Sequence, residues 1–282
     1  MGARALDKPM LGDKEFLMTE RDFDEIAQLA LRHTGIVLGT HKANMVYGRI
    51  ARRLRQLNFQ TFGQYLSYLN DNFAAESTDF INLITTNLTS FYREPHHFEY
   101  LTDTVIPELK AKSEKKVRIW SSGCSIGQEA YTVAITLAKA GMDKSHDVKI
   151  LATDLDSNVI DTGAKAVYPA DNIAGVPEDG MEQYFQRSPD GKMVRVKDRL
   201  RNMVHFKRLN LLESWPMKGP FDVIFCRNVV IYFNRDTQKT LFNRYADYLP
   251  VGGHLIIGHS ESLNGLTDRF ESVGNTIYRK TY

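Results

Sequence analysis

The 282-residue sequence predicts an α/β chain: a mostly parallel sheet closed by an antiparallel hairpin, preceded by a small all-α domain and interrupted by a β insertion. Three observations predict it. Up to about residue 90 the apolar residues recur at helical spacing. Beyond Arg93 short apolar strands alternate with helical stretches, the pattern of parallel pairing with right-handed crossovers. The chain then closes with two strand-like pieces around Gly274-Asn275, a hairpin signal.

Residues 1–18 show no periodicity and are expected to form a disordered tail. Over residues 19–90, Phe23, Ile26, Ala27 and Ala30 form one helical face, Met45, Ile50, Leu54 and Leu57 a second, and Phe62, Tyr65, Leu66 and Leu69 a third. Thr19–Asp22 and Thr61–Gln64 are helix entries, the latter with a Thr-x-x-Gln capping box. In the α/β part, 91–282, strands are expected at Val117–Ser121, Val148–Asp154, Val204–Asn210, Phe221–Arg227 and His254–His259, with the hairpin at Phe270–Val273 and Thr276–Lys280. Residues 168–203 are rich in Pro and Gly and carry one strand-like stretch, Lys192–Lys197, so they form an inserted β subdomain. A terminal hairpin on such a sheet is a feature of the Rossmann-like fold of S-adenosylmethionine-dependent methyltransferases, and most dinucleotide-binding folds lack it.

Composition narrows the function classes. With 43% hydrophobic and 25% charged residues the chain is ordinary globular material. The net charge of +2 says nothing about partners; only the distribution can. Cys124 and Cys226 lie far apart and build neither a disulfide framework nor a metal site by themselves. The longest apolar runs, such as Val229–Phe233, are strand-sized, against the ~18 residues a membrane span needs, and the N-terminus lacks a signal-peptide core. A cytoplasmic monomer with no membrane insertion is expected.

The segment from Ile119 to Glu129 leaves the first strand through a turn with glycines at 123 and 127 and enters a helix. Such a turn, at the carboxyl end of a parallel sheet, is where these folds bind ligands. Charge decides which nucleotide fits. A dinucleotide puts its pyrophosphate on the helix N-terminus, and Glu129 in the first helical turn would repel it. The same carboxylate suits the ammonium group of a methionine moiety. Asp154, ending the second strand, is placed to accept hydrogen bonds from ribose hydroxyls; taken alone it could equally cap the following helix. The pair favours S-adenosylmethionine over NAD.

Three motifs in order carry a family resemblance: Thr85-Thr86-Asn87-Leu88-Thr89-Ser90-Phe91-Tyr92-Arg93-Glu94, the Gly123–Glu129 turn, and Phe225-Cys226-Arg227-Asn228-Val229-Val230-Ile231-Tyr232-Phe233. Together they resemble the chemotaxis receptor methyltransferases, the CheR family, from about residue 19 to the C-terminus. The resemblance implies S-adenosylmethionine as methyl donor, S-adenosylhomocysteine as product, and glutamate side chains of receptor cytoplasmic domains as substrate. It implies that Asn87, Thr89 and Arg93 reach over the cofactor, that Gly123, Glu129 and Asp154 line it, that Asn210 and Leu211 flank the adenine, and that Arg227 and Asn228 complete the site. Arg93 and Tyr232 match the two positions nearest the transferring methyl. Tyr92 stands where a second phenylalanine is usual, and Gln128 where the family often has glutamate. The turn Arg187–Gly191 is shorter than in relatives that grip a receptor's C-terminal pentapeptide, which argues against pentapeptide dependence here.

Residues 26–70 contain six basic side chains and no acidic one, and Lys42, Arg49 and Arg53 fall on one side of a helix. Gly191–Arg208 adds seven basic residues against one acid. Such patches draw acidic partners through screened attraction, and receptor methylation helices are acidic. A solvated basic face is the plain alternative. Two rival functions compete. A nucleic-acid methyltransferase of the amino-methylating kind needs an Asn/Asp-Pro-Pro-aromatic motif where this chain has Arg227-Asn228-Val229-Val230, so no nucleic-acid partner is expected. A non-catalytic cofactor sensor would not need Arg93 and Tyr232. No general base stands out, and an ionised carboxylate nucleophile, with a reference pKa of ~4.3, needs none. His96 and His97 are read as structural because no carboxylate cluster completes a metal site, and Cys226 as a small buried apolar residue.

Overall fold

The computed structural model describes residues 8–12, 14–173, 175–176 and 181–282. The chain divides into two compact units: residues up to Thr86 together with Tyr232–Asn234, and Asn87–Ile231 together with Arg235–Tyr282. The boundary falls at Thr86 rather than at residue 90.

The first unit contains helices α1 (Glu20–Thr34), α2 (Ala43–Leu57), α3 (Phe62–Asp71) and α4 (Phe73–Ile84). Thr19 caps α1 in a full capping box with Asp22, and Gly35 ends it in the left-handed conformation that a residue without Cβ adopts at least cost. Thr61 caps α3 through the Gln64 N–H, but the Gln64 side chain accepts from the Gln60 N–H at 2.7 Å, one residue before the position a capping box uses. The three apolar faces meet as expected, with Phe23, Ile26, Ile50, Leu54, Phe62, Tyr65, Leu66 and Leu69 buried. The segment before α1 departs from the expected tail. Phe16 and Met18 are buried, Phe16 N–H donates to the Tyr47 hydroxyl at 3.0 Å, and Pro9 bridges Thr19. Residues 1–7 and 13 lie outside the described residues.

Helix α4 brings a buried charge. Glu76 is 2% exposed and receives Arg53 Nε at 2.8 Å and Nη2 at 2.6 Å, with the Tyr65 hydroxyl at 3.2 Å; Asp79 takes a further bond from Arg53 at 2.7 Å. Arg49 donates to the carbonyls of Leu83 and Thr85 at the end of α4. The two arginines expected on a docking face therefore also hold the bundle together.

The second unit starts with α5 (His96–Tyr100), which runs through a π-helical turn at Leu101–Val105 into α6 (Ile106–Ala111). The sheet strands are β1 (Lys116–Ser122), β2 (Asp147–Asp154), β6 (Val204–Arg208), β7 (Val223–Cys226), β8 (His254–Ile257), β9 (Phe270–Gly274) and β10 (Ile277–Lys280). Their order is β6-β2-β1-β7-β8-β10-β9, parallel as far as β8, with β10 antiparallel to both neighbours. Helices α7 (Gln128–Lys139), α8 (Met142–Ser145), α9 (Ser157–Lys165), α11 (Asp198–Arg201) and α12 (Arg235–Asp247) lie along the connections. The insertion is a three-stranded antiparallel sheet, β3 (Val167–Pro169), β5 (Met193–Val196) and β4 (Phe185–Arg187) in that spatial order, with α10 (Met181–Tyr184) leading into β4. Residues 174 and 177–180 of it lie outside the described residues. Strand order reverses between β1 and β7, which places the crevice at the carboxyl ends of those strands. Among the described residues no helix is long and apolar enough to cross a membrane.

Removing one partner of a buried ion pair leaves an uncompensated charge, at a cost of ~3–5 kcal/mol. Arg53→Ala should therefore destabilise the helical unit by about that amount, whereas Arg52→Ala, an exposed neighbour on α2, should change stability by less than ~0.5 kcal/mol. Urea unfolding followed by helical circular dichroism checks both.

Candidate cofactor site

The site is built where β1, β2 and β7 end. After Ser122 the chain turns through Gly123 at φ +88°, and a Cβ there would stand 2.2 Å from Val229 Cγ2. Gly127 has φ +91°, and its Cβ would meet Phe206 at 2.7 Å and the Gly163 backbone at 3.2 Å. Both glycines answer to protein packing as much as to a ligand passing above them. The Gly123 and Cys124 N–H groups donate to the Thr153 carbonyl at 2.8 Å, fastening the turn to β2. The β insertion braces it from the other side, through Tyr168 Oη to the Ile126 carbonyl at 2.7 Å and Gln128 Nε2 to the Asn172 carbonyl at 3.1 Å.

Asp154 ends β2 and accepts the Ser125 N–H at 2.8 Å and the Asp156 N–H at 3.0 Å, one on each oxygen. A carboxylate offers about four acceptor sites, so capacity for two hydroxyl donors remains. Burial pushes its pKa up, and those two backbone donors oppose the shift. It does not cap the next helix: Asp156 does, through the Asn158 N–H at 2.9 Å. Asn87 ties the opening of this unit to the same corner. Its Nδ2 donates to Asp156 at 2.7 Å and its carbonyl accepts Ser125 Oγ at 2.9 Å, with Thr89 two residues further along the same stretch and partly exposed. The Leu209 N–H donates to the Asp154 carbonyl at 2.9 Å, which brings the turn of Asn210 and Leu211 alongside. Asn210 Oδ1 accepts the Leu212 N–H at 3.0 Å, and the Leu211 carbonyl is held by Arg244 at 3.0 Å.

Glu129 sits in the first turn of α7 and is 9% exposed. One oxygen accepts Ser121 Oγ at 2.6 Å and the other meets Arg227 Nη1 at 3.1 Å. Burial raises its pKa, with Arg227 and Ser121 pulling the other way. Arg227 also donates through Nη2 to the Arg93 carbonyl and lies 3.4 Å from Glu94 Oε2. One guanidinium thus faces two carboxylates, which leaves the pocket net negative. Arg93 sits between two residues of positive φ, Tyr92 (+53°) and Glu94 (+57°), and its own guanidinium donates to the Leu88 carbonyl at 2.8 Å.

Asn228 is held in the left-handed region at φ +59° by a residue that sequence reasoning missed. Glu261, 5% exposed, accepts four backbone N–H groups: Asn228 and Gly258 on Oε2 at 3.0 and 2.6 Å, Val229 and Ile231 on Oε1 at 2.9 and 3.3 Å. It pins the loop after β7 as an anion among amides. No local pattern marks it, since three of its four partners lie 30 to 33 residues away.

Every cofactor residue expected from the sequence lies in the second unit. Tyr232 does not; it groups with the helical unit, where its carbonyl accepts the Val37 N–H at 2.8 Å and Lys42 Nζ stands 4.6 Å from its ring centre. Cys226 is fully buried, burial holds its thiol well above the usual range, and Tyr245 donates to its sulfur at 3.3 Å. It is no thiolate nucleophile. The donor set fits a cationic nucleoside: a buried carboxylate for an ammonium group, a second with free acceptor sites for a diol, and no phosphate cradle that Glu129 would not oppose.

Comparison with known proteins agrees in extent and kind. Residues 87–279 match the family model described as CheR methyltransferase, SAM binding domain, and residues 21–85 match CheR methyltransferase, all-alpha domain. The chain is 40% identical over 273 residues to "Chemotaxis protein methyltransferase 2" of Pseudomonas aeruginosa, covering 96% of each. It is 40% identical to the "Chemotaxis protein methyltransferase" of Salmonella typhimurium, covering 93% of this chain and 90% of that one. It is 39% identical to the protein of the same name from Escherichia coli K12, covering 93% and 91%.

Glu261→Gln removes the anion and keeps the shape. Amide exchange at Asn228, Val229 and Ile231 should speed up by ~10-fold or more, since each hydrogen bond to a charged group is worth ~1.5–3 kcal/mol. Exchange at Ile224, within β7, should stay unchanged; mass spectrometry or NMR reads both.

Proposed function

The chain belongs to the CheR methyltransferase family and is an S-adenosylmethionine-dependent methyltransferase, and on that premise we propose that it esterifies glutamate side chains in the cytoplasmic domains of chemotaxis receptors. The observation that carries this reading is the Glu129–Asp154 pocket, negative at two depths with Arg227 neutralising only part of it. When bound, the cofactor supplies an electrophilic methyl group on sulfonium. Glu129 takes the ammonium end, Asp154 the ribose hydroxyls, and Asn210 and Leu211 flank the adenine. Asn87, Thr89 and Arg93 cover the site, and Arg93 orients a carboxylate.

A glutamate nucleophile arrives already ionised, so the chain's task is positioning and exclusion of water rather than proton removal. Receptor helices are acidic, and the basic face of α2, with Lys42, Arg49 and Arg53, is the proposed docking surface. Arg53 is already paired with Glu76 and Asp79, whereas the carbonyls of Leu83 and Thr85 that Arg49 meets are neutral and do not cancel its charge. The proposed enzyme acts in the cytoplasm as a monomer and without nucleic acid.

With receptor-containing membranes and labelled cofactor, transferred methyl should be released as methanol in mild alkali. Alkali-stable label would mark an N-methyl or C-methyl product and overturn the glutamate assignment. Asp154→Ala should weaken cofactor binding by ~1.5–3 kcal/mol, read by calorimetry, and an unchanged affinity would remove Asp154 from the ribose.

A further inference from the structure

Beside the cofactor site lies a cluster that the methyl-transfer reading does not use. His97 is fully buried, and its Nε2 lies 3.1 Å from the Asn275 carbonyl and 3.1 Å from Thr276 Oγ1. A carbonyl only accepts, so the ring proton of neutral His97 sits on Nε2 and Nδ1 presents a lone pair. That Nδ1 makes no hydrogen bond and faces Glu94 Oε2, which makes none either, at 3.5 Å. Two buried acceptors thus face each other: Arg227 Nη2 stands 3.4 Å from Glu94 Oε2 without a hydrogen bond, and His97 Nδ1 has no hydrogen-bond partner, a deficit that a cation bound between them would relieve.

The ligands for such a cation are in place. His96, partly exposed, stacks on His97 with ring centres 4.1 Å apart, and one ligand atom from each of Glu94, His96 and His97 lies within 4.8 Å of the others. His259 Nδ1 stands 2.9 Å from the second Glu94 oxygen, within reach as a further ligand. The His97 Nε2–H on a backbone carbonyl is the outer contact that orients metal-binding imidazoles. The sequence offered no carboxylate cluster to complete a metal site with the two histidines, and Glu94 supplies the carboxylate. Here His96 opens α5, and Glu94, at φ +57°, turns its carboxylate back toward both rings.

We propose that Glu94, His96 and His97 form a binding site for a divalent transition metal of the zinc type, open on the side of His259. Imidazole and carboxylate ligands with open positions suit Zn²⁺ and exclude Mg²⁺, which demands oxygen. Arg227 near Glu94 opposes a second cation, but its charge is shared with Glu129, 3.1 Å from Nη1. The ion draws the ligand atoms inward through side-chain rotation.

Calorimetric titration of the full chain with zinc chloride, with magnesium chloride alongside, tests this. Expected is saturable uptake of about one Zn²⁺ per chain with no magnesium heat, weakened ~10-fold or more in His96→Gln and in Glu94→Gln. His96→Gln replaces a partly exposed side chain and keeps the test available should Glu94→Gln fail to fold. Absence of stoichiometric zinc uptake, or a smaller loss in His96→Gln, overturns the site.

Discussion

The architecture of the second unit turns on the Arg227 guanidinium. It is 6% exposed and ties together two separate stretches of chain: Glu129 in the first turn of α7, and Arg93–Glu94 through the Arg93 carbonyl and the Glu94 carboxylate. A carboxylate taken out of water without a partner costs several kcal/mol. Burial holds the Glu129 pKa above the ordinary value, and Arg227 and Ser121 oppose that shift by meeting its two oxygens. The arrangement leaves one negative charge over, which is what distinguishes this pocket from one built for phosphates. A phosphate site would use the bare N–H groups of the helix terminus; here a carboxylate stands in the first turn.

That geometry stores strain. Tyr92, Glu94, Ser125 and Asn228 all have positive φ without being glycine, and all belong to segments lining the site. Each such residue costs ~1–3 kcal/mol and persists only where its surroundings over-determine it. The surroundings are visible: Asp154 and the Asn87 carbonyl fix Ser125, Glu261 fixes Asn228, and Arg227 with His259 fixes Glu94. The loops at the ends of the strands are thus set before any ligand arrives, and the core of the sheet supplies the frame against which they are held.

Much of this was legible in the sequence because it rests on local pattern. Apolar runs after Arg93 located the strands to within a few residues, and the hairpin around Gly274-Asn275 identified the antiparallel end. Asp154 was legible as the last residue of a strand, and Glu129 as an acid in a first helical turn. What escaped were pairings across long sequence separations. Glu76 on the inward face of α4 breaks the apolar periodicity, and its partner Arg53 looked like a free surface charge. Glu261 has no signature except the amides it collects, and Glu94 approaches His97 only because its backbone is left-handed. The order of Phe16 and Met18 was hidden for a related reason, since two buried side chains in an aperiodic stretch make no pattern.

A single binding comparison reaches the central claim, that buried negative charge at Glu129 and Asp154 selects a cationic nucleoside. Calorimetric titration of the full chain with S-adenosylmethionine and, separately, with NAD under the same conditions reads it directly. Saturable binding of the sulfonium compound with no detectable heat from the dinucleotide is the predicted result; NAD binding as tightly, or more tightly, would contradict it.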